Sequence, residues 1–400
     1  MARPNRKHLA DFRGASRMAF DATAGIVDVV ERMHSTIQRS PAPLGRPVER
    51  ATRGITGFVY QTVRGSVRLL GRGLDASLAP LEGLLPAADD DDVDDASPRR
   101  VALQSILNGV YGDYLVRTGN PLAIEMSLRH DGRALDVTRP ADALAAPRLH
   151  EPTGKLLVLV HGLCLNDLQW NHEGYDHGAA LADELGYTPL YVRYNSGLHV
   201  ADNGQRLADL LETLVAHWPR PVQELTILGH SMGGLVTRSA CHEAGKRSHS
   251  WPAHLRHLVF LGTPHHGAPL ERGGHRLDYL MALSPYSVPL TRLGRMRSAG
   301  IQDLRHGTIT SDDEHEFVPL PANVQCFAAA ATLGSRRGFV ADRLVGDGLV
   351  PLDSALGKHR TRSLRLPKSH QWIGYEMGHL ELLHRPEVYA QLRAWLQRDT

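Results

Sequence analysis

The spacing of apolar residues changes along the chain, and each change predicts a different kind of element. Met18, Ala22, Ile26, Val29, Val30, Met33 and Ile37 recur at helical spacing, so residues 15–37 read as one amphipathic helix. Pro41, Pro43 and Pro47 break it. A second helical run places Ile55, Phe58, Val59, Thr62, Val63, Leu70, Leu74 and Leu78 on one face, interrupted by glycines that permit close approach to another surface. Residues 89–95, almost all Asp, repel one another and predict a solvated linker. One more helix is expected from Val101 to Leu115, after which the period shortens to two. Leu122, Ile124, Met126 and Leu128 alternate, Asp131-Gly132 turns the chain, and Leu135 and Val137 resume, which is the pattern of a β-hairpin.

From there strands and helices alternate. Buried strands are expected at 155–160, 188–194, 225–228, 255–261 and 324–330, with a last one at 363–366. Helices are expected at 176–186, 204–218, from 235 to about 245, and at 386–397. Such alternation predicts an α/β architecture, a mostly parallel sheet with helices on both faces and chemistry at the carboxyl ends of the strands. Residues 268–320, rich in Pro, Gly and Arg with helical pieces near 277–283, break the rhythm and read as a cap or lid insertion. The expected organisation is a helical N-terminal region over 1–100 and a catalytic domain over 101–400.

One junction stands out. The strand at 225–228 runs into Gly229-His230-Ser231-Met232-Gly233-Gly234 and then a helix. A strand that turns abruptly into a helix strains the residue at the bend and leaves little room beside it. Gly229 and Gly233 meet that need, and Ser231 is expected at the tip with its hydroxyl exposed above the positive end of the helix.

A serine hydroxyl needs a base, and the base an orienting acid. In this kind of sheet they follow the serine in the order acid, then histidine. Asp347, between Gly346 and Gly348 beyond the strand at 324–330, is the preferred acid over Asp342 and Asp353. The chain has 23 histidines, so a lone one carries little weight. His379, preceded by Gly378 and followed by an apolar run, is preferred to His359, to His370 and to His384, which read as surface. A tetrahedral oxyanion would take the backbone N–H groups of Met232 and of Leu163, the latter beside the flexible Gly162.

Composition and charge then narrow the setting. A formal net charge of +2 gives no argument for nucleic acid. Residues 1–86 hold thirteen Lys/Arg and seven Asp/Glu. That excess suits either a hairpin packed on the main domain or on a second copy of the chain, or a basic element in peripheral contact with a membrane or lipid particle. Packing is preferred, because the glycines and prolines suit a docking surface. Three scattered cysteines give no disulfide framework and no metal spacing, so a reducing, cytoplasmic setting is expected. The basic start has no apolar core behind it, so no secretory signal is expected. The longest aliphatic run, 156–160, is too short to cross a bilayer. His265 and His266 lack a third ligand and read as loop residues near the pocket. Trp170, His172 and Tyr194 are candidates for an acyl pocket or its rim, or for simple packing of the sheet.

Five motifs in this order, His161-Gly162-Leu163, Gly229-His230-Ser231-Met232-Gly233-Gly234, Gly262-Thr263-Pro264-His265-His266-Gly267, Gly346-Asp347-Gly348-Leu349-Val350-Pro351 and Gly378-His379-Leu380, resemble those of lipases and esterases of the α/β-hydrolase superfamily, near the bacterial lipase and GPI-inositol-deacylase-like branch. The resemblance covers roughly residues 120–400. It implies the α/β-hydrolase fold with a cap, Ser231 as nucleophile, Asp347 as acid, His379 as base, and Leu163 and Met232 as the oxyanion hole. It implies an ester or acyl substrate; some bacterial lipases of this kind bind a structural calcium, but no acidic ligand cluster is evident in the sequence, so no cofactor and no metal are expected. An acyltransferase or thioesterase using the same residues is one alternative. A lipid- or polymer-surface binding protein acting through its N-terminal helices is another.

Overall fold

The computed structural model of the chain describes residues 13–18, 98–130, 132–139, 152–268, 298–311, 317–335 and 346–397. The chain divides into two compact units, residues 1–95 with 117–122 and residues 96–116 with 123–400. In the first, Asn120 Nδ2 donates to the Gly14 carbonyl at 3.0 Å and Arg17 Nη1 to the Gly119 carbonyl at 2.9 Å. Most of the expected N-terminal helices, the acidic linker, and the expected helical pieces at 277–283 lie outside the described residues.

In the second unit the apolar runs become strands of one eight-stranded sheet. These are β1 (Ser127–His130), β2 (Arg133–Leu135), β3 (Lys155–Val160), β4 (Thr188–Arg193), β5 (Glu224–His230), β6 (Leu255–Leu261), β7 (Gln325–Thr332) and β8 (Gln371–Tyr375). Their spatial order is β8-β7-β6-β5-β3-β4-β1-β2. The pairs from β4 through β3 and β5 to β8 are parallel, while β1 runs antiparallel to both β4 and β2. The continuous apolar character of β3 and β5 follows from burial on both faces, as a parallel sheet covered by helices requires. The chain leaves β3 toward β4 and returns on its other side as β5. This reversal opens a crevice beyond the carboxyl ends of β3 and β5, where ligands bind in open α/β sheets.

Among the described residues the helices longer than one turn are α1 (Pro98–Arg117), α2 (His177–Leu185), α3 (Val200–His217), α4 (Met232–Arg247), α5 (Ala299–His306) and α6 (Pro386–Leu396). Residues 232–240 of α4 are all buried, because the helix lies between the sheet and α3. The approach of α3 to α4 is close: a Cβ at Gly204 would stand 2.1 Å from Ser239 Oγ. The helix α5, capped by Ser298, falls inside the stretch expected to form the cap.

Two expectations are corrected. Residues 363–366 form no strand, and β8 closes the sheet instead. Leu364 and Leu366 bury their side chains in alternation, which imitates a strand. Arg365 between them has φ +55°, and Leu364 hydrogen-bonds to Gly357 rather than to a ladder. Helix α3 also begins at Val200, four residues before its expected start, where Asp303 accepts the Val200 amide at 2.8 Å and so ties down that end of the helix.

Candidate active site

Ser231 stands between β5 and α4 with φ +53° and ψ −123°, a conformation a side-chain-bearing residue adopts only under strain of about 1–3 kcal/mol. The neighbours allow it because they have no side chains. A Cβ at Gly229 would lie 2.7 Å from Gly234 Cα, and one at Gly233 would lie 2.2 Å from the Val160 carbonyl oxygen. The bend is held from the next strand, since the Ser231 amide donates to the Leu261 carbonyl at 2.8 Å. Contrary to the expected exposed tip, Ser231 keeps only 4% of its surface. The loop after β3 crowds it, and a Cβ at Gly162 would stand 3.0 Å from Ser231 Cβ.

Asp347 and His379 come together. His379 Nδ1 lies 2.6 Å from Asp347 Oδ2, and both side chains are buried. The other carboxylate oxygen accepts the amides of Leu349 at 3.0 Å and Val350 at 2.8 Å, so the Gly-Asp-Gly turn fixes the carboxylate before the histidine meets it. The His379 amide also donates to the Asp347 carbonyl at 3.2 Å. With a carboxylate as its partner, Nδ1 carries the hydrogen and Nε2 presents its lone pair. Among the described residues Nε2 has no hydrogen-bond partner. His379 packs against Gly262, where a Cβ would stand 3.0 Å from its Cε1. The imidazole and the Ser231 backbone thus rest on adjacent residues, Gly262 and Leu261, at the end of β6.

Leu163 and Met232 are both buried beside the serine. Met232 is the first residue of α4, so its N–H has no acceptor within the helix. Among the described residues the Leu163 amide makes no backbone hydrogen bond.

The rivals sit elsewhere. Asp342 lies outside the described residues. Asp353 and His359 are exposed. His370 Nδ1 pairs with the Cys326 carbonyl at 3.0 Å. His384 stacks on His172 with ring centroids 3.9 Å apart. Trp170 belongs to the buried core and meets the ring of His230 edge-on. Tyr194 stacks on His161 and donates to its carbonyl at 2.8 Å, and burial pushes its phenol pKa up.

Sequence reasoning did not single out His230. Its Nε2 lies 3.2 Å from the His379 carbonyl, and the two rings are 4.7 Å apart. Burial holds its pKa well below the ordinary imidazole range, with His379 adding repulsion. It therefore serves as a neutral donor to the histidine loop. Its place before Ser231 was visible, but a partner 149 residues away was not. Burial likewise lowers His161 to about 4. Among the described residues no group of His, Cys, Asp and Glu suits a metal ion, and no helix is long and apolar enough to cross a membrane.

Residues 177–330 match the family described as PGAP1-like alpha/beta domain. Among solved structures, the mature lipase BlEst2 of Bacillus licheniformis is 19% identical over 62% of this chain and 93% of its own, with a TM-score of 0.40. A lipase-esterase related protein of Clostridium acetobutylicum is 14% identical over 61% of this chain and 96% of its own, with a TM-score of 0.35. The RedJ thioesterase of Streptomyces coelicolor is 17% identical over 63% of this chain and 94% of its own, with a TM-score of 0.37. No curated protein matches the chain. The chain thus has a mostly parallel α/β sheet with a sharp bend between β5 and α4, and its residues 177–330 are similar to the PGAP1-like alpha/beta domain family.

Proposed function

We propose that the chain is a serine carboxylic-ester hydrolase in which Ser231, His379 and Asp347 act together. The observation that carries this reading is the 2.6 Å contact of His379 Nδ1 with Asp347. It leaves Nε2 without a hydrogen-bond partner among the described residues, Ser231 Oγ included, while Ser231 holds a strained backbone. Ser231 Oγ attacks the ester carbonyl carbon while His379 Nε2 takes its proton. Charge on the carbonyl oxygen is met by the N–H groups of Leu163 and Met232, donors worth roughly 3 kcal/mol each in such sites. The tetrahedral intermediate collapses, the C–O bond breaks, and the imidazolium returns the proton to the departing alcohol. Water, deprotonated by the same nitrogen, then attacks the acyl-enzyme, and the acid leaves as Ser231 is reprotonated. Asp347 holds the imidazole in the required tautomer throughout.

Replacing Ser231 by Ala should lower turnover of p-nitrophenyl esters by about 10⁴-fold or more while the circular dichroism spectrum persists. A fluorophosphonate probe should label the wild type at Ser231 and leave the variant unlabelled. Turnover unchanged in the variant would refute the proposal. Product analysis with alcohols or thiols competing against water separates hydrolysis from acyl transfer.

A further inference from the structure

Arg238 lies seven residues beyond Ser231 on α4, about 10 Å along the helix axis at 1.5 Å per residue. Its side chain is buried, with the whole residue only 6% exposed. Nη2 donates to the Val318 carbonyl at 2.7 Å, and Nε has no partner among the described residues. No carboxylate there pairs with it. Burial lowers its pKa to about 10 while the Cys241 and Cys326 thiols oppose the shift, so the guanidinium stays charged at neutral pH. A buried charge without a counter-ion is among the costliest features a fold can carry.

Arg238 is one wall of a cavity of about 120 Å³. His265 and His266 form another, and His359 and Arg362 stand at its exposed mouth. His265 is buried with neither ring nitrogen partnered, and His266 Nε2 is also unpartnered. No carboxylate is among the described residues that line it. Water could satisfy the imidazoles, but it brings no charge to offset the guanidinium. A cation is disfavoured by the same positive wall. Phe317, His359 and Arg362 also line a wider groove of about 600 Å³, to which Arg360 and Arg365 contribute two more positive charges.

We propose that this cavity binds a phosphate group, with Arg238 Nε and ring N–H groups of His265 and His266 donating to its oxygens and Arg362 closing over it. Donors arriving from a helix, a strand-end loop and the 359–362 turn suit a tetrahedral oxyanion better than a planar carboxylate. The adjoining groove accommodates whatever the phosphate is attached to. This site is separate from Ser231, and its existence does not depend on ester hydrolysis.

Isothermal titration of the full chain at neutral pH and matched ionic strength, with inorganic phosphate in one arm and sn-glycerol 3-phosphate in the other, tests the assignment. Saturable binding at one equivalent is expected, weakened roughly tenfold by Arg362→Gln or His266→Asn, the loss typical of one charge-assisted hydrogen bond. Arg238→Met should abolish it, and if that variant fails to fold the other two carry the test. Equal affinity in both arms identifies free phosphate as the ligand, and tighter glycerol 3-phosphate a phosphate borne on a larger molecule. Absence of saturable binding in both arms, or binding indifferent to Arg362→Gln and His266→Asn, overturns the proposal.

Discussion

Gly262 is the residue on which the proposed mechanism is most sensitive to a single atom. It has φ +57°, and a Cβ there would meet Leu382 Cδ1 at 2.9 Å and His379 Cε1 at 3.0 Å. Gly262→Ala combines a left-handed backbone with a methyl group pressed on the imidazole. Its kcat for p-nitrophenyl esters should fall by about 10²-fold, the cost of displacing a reacting group by an ångström, with a smaller change in KM. A variant with wild-type kcat would show that His379 does not act from this position. Such residues were legible in the sequence because a backbone forced into a tight bend restricts the residue types that can occupy it. The glycines around Ser231 and Asp347 are the direct imprint of that geometry. The surroundings of Arg238 were not legible, since Val318, His265 and Arg362 reach it from three distant stretches of chain and share no local pattern.

Elements were read well where burial is two-sided and less well where it is one-sided. The strands β3, β5 and β6 are mostly apolar and almost wholly buried, as a sheet covered on both faces requires, and the expected spans match the structure to within three residues. Residues 363–366 misled because a loop can bury alternate side chains without pairing. The central strands also begin on a half-buried polar group whose strength the sequence did not convey. Glu224 at the start of β5 accepts from Tyr187 and Thr226 and pairs with His257 at 3.2 Å. Burial raises its pKa, but the bonds from His257 and Tyr187 outweigh this and hold it at about 2 against an ordinary 4.5. A depressed carboxyl pKa stabilises the fold above about 4.5, and that contribution is lost as the pH falls toward about 2. Glu224→Gln should therefore lower the denaturation midpoint clearly at pH 6 and progressively less below pH ~4.5. A deficit that stays constant down to pH ~2.5 would mean the charge contributes nothing.

At the scale of the molecule, buried histidines dominate the response to acid. Burial lowers His161 and His177 to about 4, and His230 and His265 well below the ordinary 6.5. Such groups are neutral in the folded chain but take up protons on unfolding once the pH drops below about 6.5. The stability they allow is complete above that value and declines as the pH falls toward 4, by up to about 1.4 kcal/mol per pH unit for each histidine. Denaturant titrations from pH 8 to pH 4.5 should show stability falling from near pH ~6.5, above the carboxylate range. A flat profile across that window would place these rings in contact with solvent.

The end of β6 carries a further consequence. The Ser231 amide hangs on Leu261, and the His379 ring lies against the very next residue. Both partners of the proposed proton transfer therefore ride on one rail. His379 itself is carried by the loop after β8 and tied to Asp347, so a displacement of the end of β6 would be felt by both groups. Loosening of the end of β6 on heating is therefore expected to disturb the serine and the histidine at once.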